Sequence, residues 1–320
     1  MRDLIKIIDN FKGRKVCVIG DLMLDKYIYG EVERISPEAP IPVVKISSEL
    51  FTPGGAGNVA NNIATLGGLA YIVGIVGKDK PGDQLLLEFN NRYINTEGII
   101  LDEAKTTIEK MRIIARGQHM IRVDREDGRY VNKTQENKIL KFIKTNIEYF
   151  DILVVSDYAK GLITRSLSLK LINITHQYNK LLVVDTKPVH ANYFKNFYLI
   201  TPNLKEAKEM TGLANINTMG RRIQKQLNCN VLITQGAQGM TLFEGQKIRH
   251  FPAKAKEVFD VAGAGDTVIA AVALSLASGA DLEMAANIAN HAAGITVGKV
   301  GTATVSIEEL KKDIIENGNN

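Results

Sequence analysis

Tryptophan is absent, cysteine occurs only twice, and aromatic residues make up only 6% of the 320-residue sequence. Two cysteines as far apart as Cys17 and Cys229 supply neither a disulfide framework nor a thiolate metal site, and Cys17, inside an apolar run, reads as a buried thiol. No stretch reaches the roughly 18 consecutive apolar residues of a membrane-crossing helix. The start, Met1-Arg2-Asp3-Leu4, lacks the apolar centre of a secretory leader. There is no long block of lysine and arginine, and the net charge of +5 is dispersed with few aromatics between the basic residues. That pattern argues against a nucleic-acid surface, and a small polyanionic substrate is enough to explain the basic excess. No histidine pair has metal-ligand spacing among His119, His176, His190, His250 and His291. These absences together point to a cytoplasmic protein with neither a membrane nor a nucleic acid as partner.

What is present is alternation. Hydrophobic content of 45% over this length builds a full core, in one large α/β domain or two small ones. Short apolar runs at 15–20, 70–76, 152–156, 181–185, 198–201 and 231–234 read as strands. Helical spacing at 57–66, 82–91, 137–147, 166–178, 204–211, 219–227 and 282–297 separates most of them. Such alternation predicts a doubly wound, mainly parallel sheet flanked by helices, with ligands at the carboxyl ends of the strands. The stretches 27–51 and 106–124 instead read as successive strands. They predict a small inserted β-sheet packed over the site as a lid, its apolar residues suited to a homodimer contact; an extra hairpin on the main sheet is the alternative. The tail from Glu316 to Asn320 is expected to fray.

The most informative stretch is Asp260-Val-Ala-Gly-Ala-Gly-Asp-Thr267, with an apolar helical run directly behind it. Gly263, Ala264 and Gly265 let the backbone turn tightly, and a helix N-terminus adds partial positive charge, so the loop is an anion cradle. Asp266 sits inside it, where a carboxylate repels a bound phosphate unless it accepts a proton from an attacking hydroxyl. The plainer alternative is a glycine-rich turn with Asp266 as a helix cap.

These residues resemble the ribokinase-like, PfkB carbohydrate kinase family. The closing motif is joined in family order by Pro53-Gly-Gly-Ala-Gly-Asn-Val-Ala60, Thr201-Pro-Asn-Leu-Lys-Glu206 and Leu232-Ile-Thr-Gln-Gly-Ala-Gln-Gly239, so the resemblance runs over nearly the whole chain. A narrower resemblance, to the heptose 7-phosphate kinase subgroup, rests on Gly20-Asp-Leu-Met-Leu-Asp25, the 34–45 segment, Ser156-Asp-Tyr-Ala-Lys-Gly161 and Gly298-Lys-Val-Gly-Thr-Ala-Thr-Val305. It implies a single ribokinase-like kinase domain over 1–320. The implied reaction is ATP-dependent phosphorylation of the anomeric hydroxyl of D-glycero-β-D-manno-heptose 7-phosphate, on the route to ADP-heptose and lipopolysaccharide core. In many bacteria that kinase is the N-terminal half of a bifunctional protein, so a fused or separate nucleotidyltransferase is an expected partner.

The resemblance also distributes roles. Asp266 becomes the base, and Gly263, Ala264 and Gly265 the anion hole for the transferring γ-phosphoryl. Asn203 and Glu206 are implied to hold Mg²⁺ through waters beside the ATP phosphates, with Leu204 and Lys205 between them; a capping box is the alternative and is compatible. Thr234, Gly236, Gly239 and Asn290 are implied to line the nucleotide. Asp21, Asp25, Gly54, Gly55 and Asn58 are implied on the sugar, Asp21 alternatively bracing its loop. A 7-phosphate needs cations; Lys110, Arg112, Arg116, Lys160 and Lys187 are the candidates, and Arg112, Lys160 and Lys187 are favoured over solvated surface charge. Ala262 stands where ribokinases often carry Thr, which weighs against a monovalent cation beside Asp260. Another sugar kinase, for ribose or fructose 6-phosphate, and a silent nucleotide- or sugar-binding regulator are the competing readings.

Overall fold

The computed structural model describes residues 2–255, 258–299, 301 and 303–317. Val300 and Thr302 of the last motif, and the final three residues, lie outside the described residues. The chain opens with α1 (Arg2–Asp9), β1 (Lys15–Gly20), β2 (Leu22–Ile35), β3 (Pro42–Gly55), α2 (Ala56–Thr65), β4 (Leu69–Gly77), α3 (Lys80–Asn91) and β5 (Asn95–Asp102). It continues through β6 (Ile108–Ala115), β7 (Gln118–Arg125), α4 (Lys133–Asn146), β8 (Ile152–Ser156), α5 (Arg165–Gln177), β9 (Leu181–Asp185) and β10 (Leu199–Ile200). It closes with α6 (Leu204–Thr211), α7 (Ile216–Leu227), β11 (Asn230–Thr234), β12 (Met240–Glu244), β13 (Lys247–Phe251), α8 (Ala264–Ala277), α9 (Leu282–Val297) and α10 (Ile307–Asn317).

A nine-stranded sheet has the order β13-β12-β11-β10-β9-β8-β1-β4-β5. It is parallel from β5 to β11, with β12 and β13 added antiparallel at one edge. The strands read as near-continuous apolar runs because both faces are covered. Alternate residues serve opposite cores. Val16, Val18, Ile152 and Val154 pack with α2, α8 and α9, while Cys17, Ile19, Leu153 and Val155 pack with α4, α5 and α7. A buried α8, apolar all round, is the central support of the first core.

The second sheet has the order β3-β2-β6-β7. Its bounds differ from the expected 27–51 and 106–124: β2 begins at Leu22 and β3 runs to Gly55, with Leu22 opposite Gly55 and register shifts at Tyr29/Gly30 and Val32/Arg34. Asp25 and Gly54 therefore sit in strands, and Gly55 both ends β3 and is the N-cap of α2, with φ 57°. The Leu22-Met-Leu24 run looked like a loop after β1, yet its residues are buried between the two sheets. The outer segments were also missed. β5 is an edge strand with little fully buried surface, and β12 and β13 form a short hairpin turning at Gly245.

Candidate active site

Carboxyl ends of neighbouring parallel strands deliver polar residues to one place, as doubly wound sheets do. Beyond β1 comes Asp21, beyond β8 Asp157 and Tyr158, at the end of β9 Asp185 followed by Lys187, beyond β10 Asn203, and at the end of β11 Thr234. The start of α8 faces them. Gly263 takes φ 79° as its left-handed N-cap, a conformation that favours glycine. The Ala264 N–H donates to the Val261 carbonyl at 3.3 Å. Among the described residues those of Gly265 and Asp266 make no backbone hydrogen bond, so the free donors of the cradle are these two.

Asp266 is buried. Its Oδ1 accepts the Tyr158 hydroxyl at 2.6 Å and its Oδ2 accepts Asn58 Nδ2 at 2.8 Å. Burial pushes its carboxyl up to about 6, against the Tyr158 and Asn58 hydrogen bonds and the Lys187 charge, with Asp25 pushing the same way as burial. A carboxylate that titrates just below neutral pH is suited to general-base work. Tyr158 stays a donor because burial, and then the Asp266 charge, raise its phenol well above the ordinary value. Asn58 is held in turn by the first turn of α2, and Asn62 and Thr267 continue the chain of hydrogen bonds behind it. One of its two amide N–H donors thus goes to the base.

The loop that carries Tyr158 is fixed from two sides. Buried Asp21 accepts backbone N–H groups of Tyr158, Lys160 and Leu162 at 2.9, 3.0 and 3.0 Å. These bonds favour the bracing reading of Asp21. Asp157 accepts the Ala159 N–H and the Thr186 hydroxyl, and meets His190 Nδ1 at 2.8 Å; Tyr130 closes the far side of that ring. Removing the Tyr158 hydroxyl tests the consequence. Tyr158→Phe withdraws a bond that favours ionised Asp266, so the acid limb of the kcat/KM profile should move up by about one pH unit or less. A limb that stays in place would show the phenol to be a bystander.

Asp25, expected on the sugar, pairs with Arg112 at 2.5 Å. Gly54 is packed so closely against that carboxylate that a Cβ would lie 2.4 Å from Oδ2. Asn203 and Glu206, expected beside the ATP phosphates, form a full capping box, each accepting the other's backbone N–H, at 2.9 and 3.0 Å. Glu206 also binds Lys187 at 2.6 Å. Leu204 and Lys205 are exposed on the first turn of α6. Asp185 has no side-chain hydrogen bond among the described residues. Burial and then the Glu206 charge push its carboxyl up to about 8, which makes the pair receptive to a cation. Among the described residues no group of three or more His, Cys, Asp or Glu is placed to hold a metal directly. The Asp185 and Glu206 carboxylates are hard oxygen donors of the kind a hydrated Mg²⁺ takes. Sequence reasoning gave neither Asp185 nor Tyr158 a role, although Tyr158 stands in the Ser156–Gly161 motif and Asp185 ends the 181–185 strand run.

The nucleotide candidates line one cavity of about 310 Å³, with Thr234, Gly236, Gly239 and Asn290 on its walls beside Gly265. Its other walls are mainly apolar, including Val258, Val261 and Val297, with Lys254 among them. Asn290 Nδ2 donates to the Pro252 carbonyl at 2.7 Å, leaving its oxygen toward the cavity's polar needs. Asp260 accepts the N–H groups of Ala262 and Gly301 at 2.9 and 3.2 Å and so closes its loop through backbone donors.

The favoured phosphate binders stand in ion pairs: Arg112 with Asp25, Lys160 with Glu126 and Lys187 with Glu206.

Comparison with known proteins gives a consistent result. The family profile described as pfkB family carbohydrate kinase matches residues 14–310. The chain is 42% identical over 311 residues to the bifunctional protein HldE of Desulfatibacillum aliphaticivorans, covering 95% of this chain and 64% of that one. It is 40% identical over 300 residues to the bifunctional protein HldE of Geobacter sulfurreducens, covering 92% and 61%. The chain thus spans less than two thirds of these relatives' own length. Among solved structures, phosphofructokinase-2 from Escherichia coli in complex with potassium superposes with TM-score 0.78 at 20% identity, over 95% of this chain and 99% of that one. Arabidopsis thaliana ribokinase complexed with ribose and ATP gives 0.73 at 19%, over 94% and 99%. Likeness at that identity speaks for the fold, which is ribokinase-like.

Proposed function

Because the chain belongs to the pfkB family of carbohydrate kinases, we propose that it transfers the γ-phosphoryl group of ATP to the anomeric hydroxyl of D-glycero-β-D-manno-heptose 7-phosphate. The product is the 1,7-bisphosphate. The observation that carries the reaction is the buried Asp266, hydrogen-bonded to Tyr158 and Asn58 beside the free N–H groups of Gly265 and its own backbone. The sugar hydroxyl donates its proton to Asp266. The oxygen forms the new bond to the γ-phosphorus as the bond to ADP breaks, and the two N–H groups take up the charge on the phosphoryl oxygens. Glu206 and Asp185 would hold Mg²⁺ through waters, and the ion supplies charge neutralisation on the ATP phosphates. Asp25, already oriented by Arg112, is the carboxylate for the sugar's hydroxyls. Both Asp260 oxygens hold backbone donors, so turnover is expected without added potassium.

The heptose rests on the 42% relative and on the subgroup motifs. The test is ADP release over a panel of sugars and sugar phosphates, with and without Mg²⁺. Turnover of ribose or fructose 6-phosphate in preference to the heptose phosphate would overturn the sugar, and no turnover at all would overturn the kinase reading.

The four-stranded sheet leaves Ile46, Leu50, Ile121 and Val123 exposed, and we assign this sheet to a lid over the sugar and to a homodimer contact. A monomer by sedimentation equilibrium at micromolar concentration would exclude the dimer. Among the described residues no helix is long and apolar enough to cross a membrane; from the proposed use of ATP and a sugar phosphate we infer a cytoplasmic location. The nucleotidyltransferase step that consumes a sugar 1-phosphate belongs to a partner, fused or separate, and co-purification with such an activity is its check.

A further inference from the structure

We propose that Lys110 is the residue that binds the substrate's own phosphate group. The inference rests on the proposed sugar-phosphate substrate and deepens it. Register places the lysine first. In the four-stranded sheet Lys110 lies beside Asp25 on β2 and opposite Asp124 on β7. Partners in register share a face, so Lys110 stands on the face that bears Asp25, Tyr27 and Arg112. That face looks onto the base. Lys110 Nζ lies 5.7 Å from the centre of the Tyr158 ring, and the hydroxyl of that ring is on Asp266.

Its lack of a carboxylate ion-pair partner sets it apart. Lys26, Arg112, Lys160 and Lys187 each form an ion pair with a carboxylate, whereas among the described residues the Lys110 ammonium forms no ion pair and donates no hydrogen bond. It is half-buried. Burial lowers its ammonium's affinity for a proton, only partly offset by Asp25 and Asp124, while Arg112 and Lys160 add like charge. An ammonium withdrawn from water without a counter-charge is costly, and a ligand anion at this point removes the cost. The neighbouring cations Arg112 and Lys160 favour a dianion over a single carboxylate. A phosphate monoester at the end of the sugar remote from the reacting hydroxyl meets both needs. Arg112 then keeps Asp25 aimed at the hydroxyls, and Lys110 supplies the free charge.

The experiment is a paired panel: heptose 7-phosphate against heptose, fructose 6-phosphate against fructose, and ribose 5-phosphate against ribose. It is run on the wild type, Lys110→Met and Lys110→Arg, with thermal unfolding of each. The expected result is a phosphorylated preference in the wild type. Lys110→Met raises KM for that sugar phosphate by roughly 10- to 100-fold with kcat within about threefold, leaves the unphosphorylated partner unchanged, and is partly rescued in Lys110→Arg. If the preferred phosphate is not the heptose, the heptose reading fails and the Lys110 assignment stands. If the wild type uses heptose 7-phosphate and Lys110→Met leaves its KM unchanged, the assignment fails and the heptose stands. Equal losses on both members of a pair mean a structural role and overturn the assignment. A wild type that uses only unphosphorylated sugars overturns both.

Discussion

Asp266→Asn is expected to lower kcat by about three orders of magnitude while the protein still folds and still binds ATP. The amide keeps the shape and can still accept from Tyr158, but it cannot take the hydroxyl's proton. Nucleotide binding should persist because the free N–H groups of Gly265 and residue 266 are backbone donors, and the 310 Å³ cavity does not include the carboxylate among its walls. Stability provides the control. Burial raises the Asp266 carboxyl from 3.8 to about 6. A raised carboxyl binds its proton more tightly in the folded than in the unfolded chain. Ionisation therefore costs stability progressively as pH rises from the unfolded value through the folded one, by up to ~3 kcal/mol above it. The amide escapes that cost and loses part of the Asn58 interaction, so its Tm at pH 7 should be held or raised. The same carboxyl sets the wild-type profile: kcat/KM should fall as pH drops through about 6, because protonated Asp266 is no longer a base. Measuring turnover, ATP affinity and Tm on one preparation separates the cases. Turnover within tenfold of wild type would remove Asp266 as the base, and a collapsed Tm would make the loss structural.

The parts of this site that were legible in sequence are those in which a residue's role is settled by its immediate neighbours. Gly263, lacking a side chain, is free to take the positive φ of the tight turn before α8, and Asn203 with Glu206 forms a capping box whatever else it does. The helix α6 was expected over Leu204–Thr211 and lies there, because cap and glycine stop are both local. Roles that depend on distant pairing were not legible. Tyr158 reaches Asp266 across 108 positions of sequence. Arg112 and Asp25, 87 apart, find each other only once β2 and β6 are side by side. The sequence displays cations but not which carboxylates neutralise them. Arg112, Lys160 and Lys187 were therefore preferred over Lys110, whose isolation is visible only in three dimensions. The same reason explains the early edge of the second sheet: the Leu22-Met-Leu24 run has no alternation to mark it as a strand, because it is buried on both sides.

Gly239→Ala is expected to destabilise the protein by about 3 kcal/mol or more and to raise the KM for ATP, whereas Gly236→Ala should cost only about 1 kcal/mol. Both glycines have positive φ, 58° at Gly236 and 88° at Gly239. They differ in what surrounds them. A Cβ on Gly236 meets nothing within 4 Å, so the cost there is conformational alone. Gly239 combines φ 88° with ψ −131°, a region open to glycine and hardly to any other residue. A Cβ there would lie 2.0 Å from the Phe251 carbonyl oxygen and 2.6 Å from the Ala253 nitrogen. Those atoms are backbone and cannot rotate away. They belong to the end of β13 and the segment after it, and the Pro252 carbonyl between them is the acceptor for Asn290. Relief of the clash must therefore push this segment outward, opening the cavity between Gly239 and α9 and separating Asn290 from its acceptor. Gly239 also accepts the Gln235 N–H at 2.8 Å, so the turn out of β11 moves with it. Loss of stability and loss of ATP affinity should appear together at Gly239, and neither should be large at Gly236. Calorimetry and ATP saturation curves on the two variants decide the matter. Equal and mild effects at both positions would mean that the segment after β13 yields easily, and the cavity it borders would not be the rigid nucleotide slot proposed.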